Sequence, residues 1–170
     1  MSQNKSSEVI DKKLAAPVRF RRVRDKEIRV SLPDVGYIEA DIAKEDKELH
    51  IREFEVREDK RNLGVGRRLL KSLAVIAKDE GIEKITGDVI DPTALSLRQK
   101  VYGDDGLHIY DADRRPLQEL PITIDKAIES IQRADKAYDE HPNPNFGTDF
   151  YVVSDITDLD VTDWERPAEK

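Results

Sequence analysis

Alternation of apolar and polar positions organises the first third of the chain. From Phe20 through Val23 to Ile28 and Val30 the pattern reads as one strand. Ser31-Leu-Pro-Asp-Val-Gly36 then reads as a turn. Tyr37-Ile-Glu-Ala-Asp-Ile42 repeats every two residues, the period of a half-buried strand. A charged tip at Lys44-Glu-Asp-Lys47 follows, and Leu49 to Val56 resumes as a strand, so this third is predicted to be an antiparallel meander. At Gly64 the period changes: Val65, Leu69, Leu73, Ile76 and Ala77 share one face of a helix that Gly81 would stop. Ile82 to Ile90 is another strand, and Asp91 and Pro92 are suited to the cap and first turn of a second helix reaching about Tyr102 and Gly103. Leu107 to Tyr110 is a short strand, Ala127, Ile128, Ile131, Ala134 and Tyr138 stripe a helix over 125–139, and Phe150 to Val153 is a late strand. This order predicts an α/β protein.

Composition narrows the chemistry. The chain has 170 residues, a net charge of −7 and no cysteine, which removes disulfides, thiolate nucleophiles and thiolate metal sites. The length suits one domain, divided here into a flexible N-terminus over 1–15, a folded centre over 16–154 and a solvated acidic tail over 155–170. No stretch approaches the roughly 18 apolar residues of a membrane helix, and the start has no apolar signal core, so no membrane and a cytoplasmic location are expected. Residues 1–30 carry a net +5 and residues 139–170 a net −7. Arg19, Arg21, Arg22 and Arg24 could meet phosphates, but no recognition helix accompanies them. No nucleic-acid partner is expected, and the run reads as a solvated basic face, one the acidic end could neutralise. His50, His108 and His141 lack ligand spacing, and Asp155, Asp158, Asp160 and Asp163 lack the glycine and closing glutamate of a calcium loop, so no metal is expected.

The stretch from Phe54 to Leu70 carries the chemistry. A strand runs into a loop with two glycines that becomes the start of an amphipathic helix. The first N–H groups of a helix lack intrahelical acceptors, and the helix dipole adds roughly half a positive charge there. Gly64 and Gly66 remove side chains in front of those groups, and Arg61 and Arg67 can add charge-assisted hydrogen bonds. The segment is therefore a candidate anion site. It is not a Walker loop, because Arg67 follows Gly66 and the first glycine is missing. Nor is it a dinucleotide fingerprint, because Leu69 stands at the third glycine position.

Arg61-x-x-Gly64-x-Gly66 followed by Leu69 and Leu70, after a strand holding Phe54 and Val56, resembles the acetyl-CoA loop of the GNAT (Gcn5-related N-acetyltransferase) superfamily. The resemblance covers roughly residues 18–110, and the late strand could complete the sheet. It implies a mixed, mostly antiparallel sheet flanked by helices. It also implies acetyl-CoA as co-substrate, without a metal, and direct attack on it by a primary amine. Phe54 and Val56 would pair with the pantetheine arm. The amides from Arg61 through Asn62, Leu63, Gly64, Val65, Gly66 and Arg67 would hold the pyrophosphate, and an N–H near Val56 would polarise the thioester.

The second helix departs from the family pattern N-x-x-A-x-x-L-Y-x-K-x-G-F. Asp91, Ala94, Leu97, Lys100 and Gly103 stand in it, but Asp91 replaces the asparagine and Arg98 the tyrosine that often protonates the leaving thiolate. Arginine does not donate a proton at neutral pH. Either Arg98 binds a CoA phosphate and Tyr102 is core, or Tyr102, one turn later, takes the tyrosine's role. A general base is sought among Glu53, Glu55 and His50 on the motif strand and Asp88 on the next, against the alternative that these form a solvated face. The acidic middle and end would attract a cationic acceptor, whether a small-molecule amine or a protein lysine. A catalytically inactive module holding an acyl-CoA or a protein is the alternative. Helix 125–139 could shape the acceptor pocket or a homodimer face.

Overall fold

Among the described residues the elements run β1 (Arg19–Arg24), β2 (Glu27–Leu32), β3 (Gly36–Ala43), β4 (Glu48–Val56), a 3-10 turn (Glu58–Lys60), α1 (Val65–Asp79), β5 (Lys84–Val89), α2 (Pro92–Tyr102), β6 (Leu107–Tyr110), β7 (Phe150–Asp155) and β8 (Ala168–Glu169). The structure is a computed structural model that describes residues 14–89, 92–103, 105–110 and 150–169. The expected helix over 125–139 and the capping Asp91 lie outside the described residues. Two units divide the chain: one runs to Ile85 and resumes at Ile156, the other spans Thr86 to Asp155.

In the first unit the strands lie in the order β4-β3-β2-β1-β8. β1 and β8 are parallel and the other neighbours antiparallel, so the sheet is mixed and mostly antiparallel. The single strand expected from Phe20 to Val30 is two strands folded back at Asp25 and Lys26, with Phe20 opposite Val30. Arg21 to Lys26 are all exposed, so no buried side chain holds that stretch in line. Folding back instead brings Phe20, Ile28 and Val30 together in the core.

The inner face carries Ile28, Val30, Leu32, Ile38, Ala40, Ile42, Leu49 and Ile51, all buried. Helix α1 packs on β2, β3 and β4 through Val65, Leu69, Leu73 and Ile76. Each such large apolar side chain contributes roughly 1.5–3 kcal/mol when fully buried. The helix ends as expected at Gly81, at φ 74°. The Gly81 N–H donates to the Lys78 carbonyl and the Ile82 N–H to that of Ala77, the paired bonds of a Schellman stop.

The register between β3 and β4 shifts after Glu39, which faces Glu53, while Ala40 faces Ile51. Arg52 is the extra residue of a β-bulge. It changes the phase of β4: Leu49 and Ile51 are buried before it, and Phe54 and Val56 are the less exposed positions after it.

The acidic end differs from the solvated tail expected. Ile156 is buried, and the Lys78 ammonium donates to the carbonyls of Ile156, Thr157 and Leu159 at 3.1, 3.0 and 2.6 Å. Glu165 accepts from Arg68 at 2.6 and 2.9 Å and from the Val18 N–H at 3.0 Å. Arg166 pairs with Asp79, and Ala168 and Glu169 add β8 beside β1. The basic run is neutralised only in part from within: Arg22 pairs with Glu80 and Arg24 with Glu27.

In the second unit β6 and β7 pair antiparallel from Leu107–Ser154 to Tyr110–Tyr151, and α2 packs on β7. The Asp155 N–H donates to the Gly106 carbonyl at 2.8 Å.

Candidate functional site

The loop after β4 has the form an anion cradle requires. Arg57 starts the 3-10 turn, its N–H held by the Val35 carbonyl at 2.8 Å. Asn62 and Gly64 take left-handed backbone conformations at φ 63° and 80°, which turn the chain into α1. Gly64 is the N-cap and offers no side-chain hydrogen bond to the helix. The first intrahelical bond runs from the Arg68 N–H to the Gly64 carbonyl at 3.0 Å. The amides before it, those of Val65, Gly66 and Arg67, have no acceptor within the helix. A Cβ on Gly64 would meet nothing within 4 Å, so the space before these amides is open. Arg61, Asn62, Leu63, Gly64 and Arg67 are exposed, Gly66 is half-buried and Val65 is buried in the core. The Arg61 guanidinium donates to the Val56 carbonyl at 3.3 Å, and Arg67 has no ion pair among the described residues. Arg68 turns the other way, into Glu165 and the carbonyls of Leu14 and Ala16, and so anchors the helix.

On the outer face of the sheet the bulge sets Glu53 and Glu55 side by side, both exposed, while Phe54 and Val56 are half-buried. The Tyr37 hydroxyl lies 3.1 Å from Glu53 Oε2 and 3.0 Å from Glu55 Oε2. One hydroxyl proton serves two carboxylates, so one of them is open to a further donor at any moment. Hydrogen bonding to Glu55 first and Glu53 second, together with their charge, pushes the Tyr37 phenol up to about 12. The Arg29 guanidinium covers the Tyr37 ring at 4.0 Å from its centroid and donates to Glu39 at 2.9 Å. Tyr37 and Arg29 were not among the residues singled out from the sequence. The signal was available: with the turn at 33–35 placed, the alternation puts Tyr37 directly opposite Glu55. His50 faces Asp41, nearer the start of β4 than the pair of glutamates and on the other side of the bulge.

Arg98 and Tyr102 belong to the second unit. Both are buried, at 3% and 5% exposure. The Arg98 Nε and Nη1 have no hydrogen-bond partner. Burial pulls the Arg98 pKa down, against the charges of Tyr102 and Asp88, and burial pushes the Tyr102 phenol well above its ordinary value. The guanidinium lies against Gly87, where a Cβ would stand 2.6 Å from Nη2. Tyr102 is thus packed in the interior, and Arg98 is withdrawn from solvent rather than displayed to it.

An open, glycine-lined helix start thus follows a bulged strand that carries two exposed carboxylates. Residues 34–99, which run from the turn before β3 into α2, match the model of the Acetyltransferase (GNAT) family. That segment, loop included, is GNAT in sequence, as its motif implied. Among solved structures, the chain is similar to the IAA acetyltransferase from Bacillus cereus ATCC 14579, at 17% identity over 76% of this chain and 78% of that one, with a TM-score of 0.46. It is similar to Tetrahymena Gcn5 at 14% identity, over 75% and 68% of the two chains, with a TM-score of 0.44. The paia N-acetyltransferase from Thermoplasma acidophilum, in complex with coenzyme A, is similar at 14% identity over 88% and 67%, with a TM-score of 0.46. No curated protein matches the chain in sequence. Among the described residues no cluster of His, Asp and Glu could hold a metal ion, and no helix is long and apolar enough to cross a membrane.

Proposed function

We propose that this chain is a cytoplasmic N-acetyltransferase that moves the acetyl group of acetyl-CoA to a primary amine. The observation that carries the reading is the loop from Arg61 to Arg67, with Gly64 in the left-handed conformation, open space in front of the helix amides, and Arg61 and Arg67 exposed beside them. Those amides and guanidinia hold the diphosphate of the coenzyme, and the backbone at Phe54 and Val56 meets the pantetheine arm. Glu55 or Glu53 takes a proton from the acceptor's ammonium, directly or through water, and Tyr37 steadies whichever carboxylate is not doing so. The neutral amine attacks the thioester carbonyl, a C–N bond forms, and the C–S bond breaks. The electron pair leaves on sulfur, which takes up one proton as the new amide nitrogen loses another. Arg98 is not the donor to that sulfur, because a guanidinium gives up no proton at neutral pH. Acceptors are small amines or protein amines.

A second reading, a module that binds acyl-CoA or a protein partner without turnover, is favoured by one observation: the position of the usual tyrosine holds a buried guanidinium. Calorimetric titration with acetyl-CoA, followed by free-thiol release with a panel of amines, separates the two. Binding with thiol release is expected. Binding without release from any amine leaves the module, and absence of binding removes both.

A further inference from the structure

The outer face of the first unit's sheet is divided by charge. Antiparallel register aligns two rows across four strands: Arg19, Ser31, Tyr37 and Glu55 in one, Arg21, Arg29, Glu39 and Glu53 in the other. In these two rows cations stand on β1 and β2 and carboxylates on β3 and β4, whereas the next row along brings Glu27 of β2 to Arg52 of β4. A cavity of about 950 Å³ opens over the face, with Arg19, Arg21 and Arg29 in its lining together with Tyr37 and Glu55, and with Asp34 and Arg57 at the turn. Arg21 and Arg29 are direct cross-strand partners, like charges that repel; Arg29 is met by Glu39 at 2.9 Å, and Arg21 has no such partner among the described residues. Among the described residues Arg19 and Arg21 have no acidic partner, in a chain with 36 acidic residues against 29 basic ones. Arg22 and Arg24, whose neighbours they are, each have one.

We propose that Arg19, Arg21 and Arg29 form a subsite for an anionic group, carboxylate or phosphate, carried by the same acceptor whose amine meets Glu53 and Glu55. The inference rests on the acetyl-transfer reading and names its substrate class: an amine joined to an anion by an extended spacer, in place of a purely cationic acceptor. Neighbouring strands are roughly 4.8 Å apart, so two strand spacings set Arg29 roughly 10 Å from Glu53 in its own row, and the side chains shorten the gap. A chain of five or six carbons spans it. Guanidinium is suited to the task because its fork grips either anion in two hydrogen bonds.

Thiol release from acetyl-CoA is measured with hexylamine, 6-aminohexanoate and 6-aminohexyl phosphate, which share the amine and differ at the far end. The better of the two anionic amines is expected to exceed hexylamine about tenfold or more in kcat/KM, the factor a charge-assisted hydrogen bond supplies, and its identity tells carboxylate from phosphate. In R21A, and in R19A as a second variant, that ratio falls toward one, whereas R24A, which removes the same charge elsewhere, keeps it. Equal use of the three amines by the wild type, or a ratio that R21A and R19A leave intact, overturns the subsite. If no amine releases thiol, calorimetric titration of 6-aminohexanoate and 6-aminohexyl phosphate decides. Binding lost in R21A upholds the subsite while the transfer reading fails, and no binding to the wild type overturns it.

Discussion

Substituting Gly64 separates the shape of the loop from its charge. The residue sits at φ 80°, where a side chain other than glycine's costs ~1–2 kcal/mol. An added Cβ meets nothing within 4 Å, so no clash is added to that strain. G64A and G64E therefore lose similar stability, ~1–2 kcal/mol, read as a fall of roughly 2–8 °C in Tm for a chain of this size. Their effects on acetyl-CoA differ. A carboxylate about 5 Å from a single phosphate charge costs ~1–3 kcal/mol across the effective dielectric range of a protein surface. Against the two charges of a diphosphate the loss is ~3 kcal/mol or more, about a hundredfold in Kd. Calorimetric titration at a temperature well below both melting transitions measures it. The expected order is wild type and G64A within a few-fold of each other, with G64E at least a hundredfold weaker. Unchanged affinity in G64E refutes the placement of the diphosphate. Equal loss in G64A and G64E refutes the charge argument and leaves backbone conformation as the cause.

Three further outcomes follow from the packing. Arg98 is buried with Nε and Nη1 unpartnered, and an apolar side chain of similar volume avoids that desolvation, so R98M is expected to melt at the wild-type temperature or a few degrees above it; a fall of more than about 5 °C counts against the reading. G87A pushes a methyl to 2.6 Å from Arg98 Nη2 and should cost ~1–3 kcal/mol in the wild type but markedly less beside R98M, a non-additivity that a double-mutant cycle by urea melts detects. The hydrogen bonds from Arg68 hold the Glu165 carboxyl below the usual glutamate range. Its contribution is then fully present above the unfolded pKa and is lost as pH falls through the folded one. The urea midpoint of the wild type should drop on going below about pH 4.5 more than that of E165Q does, and parallel curves would show that the pair contributes nothing.

The meander and the loop were legible because both depend on local signals. Period-two alternation marks β3 and β4, and Gly64 and Gly66 mark a place where a strand delivers open amides at a helix start. The hairpin at Asp25 and Lys26 was not legible: it carries neither glycine nor proline, and its arginines continue the alternation that Phe20 begins. What decides the turn is the gain from setting Phe20 against Val30, a tertiary contact. The docked acidic end is the same kind of case. Its aspartates look solvated, yet Lys78 gathers three carbonyls there and Glu165 reaches Arg68, 97 positions earlier in the chain. Arg98 shows the converse. Its departure from the family pattern was visible, but its burial against Gly87 depends on a strand and a helix meeting, which no spacing along the chain reveals.

The candidate base and the cavity beside it both depend on one inserted residue. Strict alternation from Leu49 and Ile51 would carry positions 53 and 55 to the inner face and Phe54 to the outer one, because a shift of one residue exchanges the faces of a strand. Arg52 absorbs the shift. Its guanidinium donates to Glu27 on β2 and to Glu39 and Asp41 on β3, so the bulge is held by an ion network spanning three strands. These bonds raise the Arg52 pKa further above its ordinary value, so the network carries a fixed positive charge at any ordinary pH. Beyond the bulge, Glu53 and Glu55 face outward to Tyr37, and Phe54 and Val56 turn inward on the strand that leads to the loop. The phase change is written in the sequence as apolar positions 49 and 51 giving way to 54 and 56. A single extra residue thus gives β4 two tasks: its first half closes the core against α1, and its second half presents carboxylates on the opposite face, next to the arginines of β1 and β2.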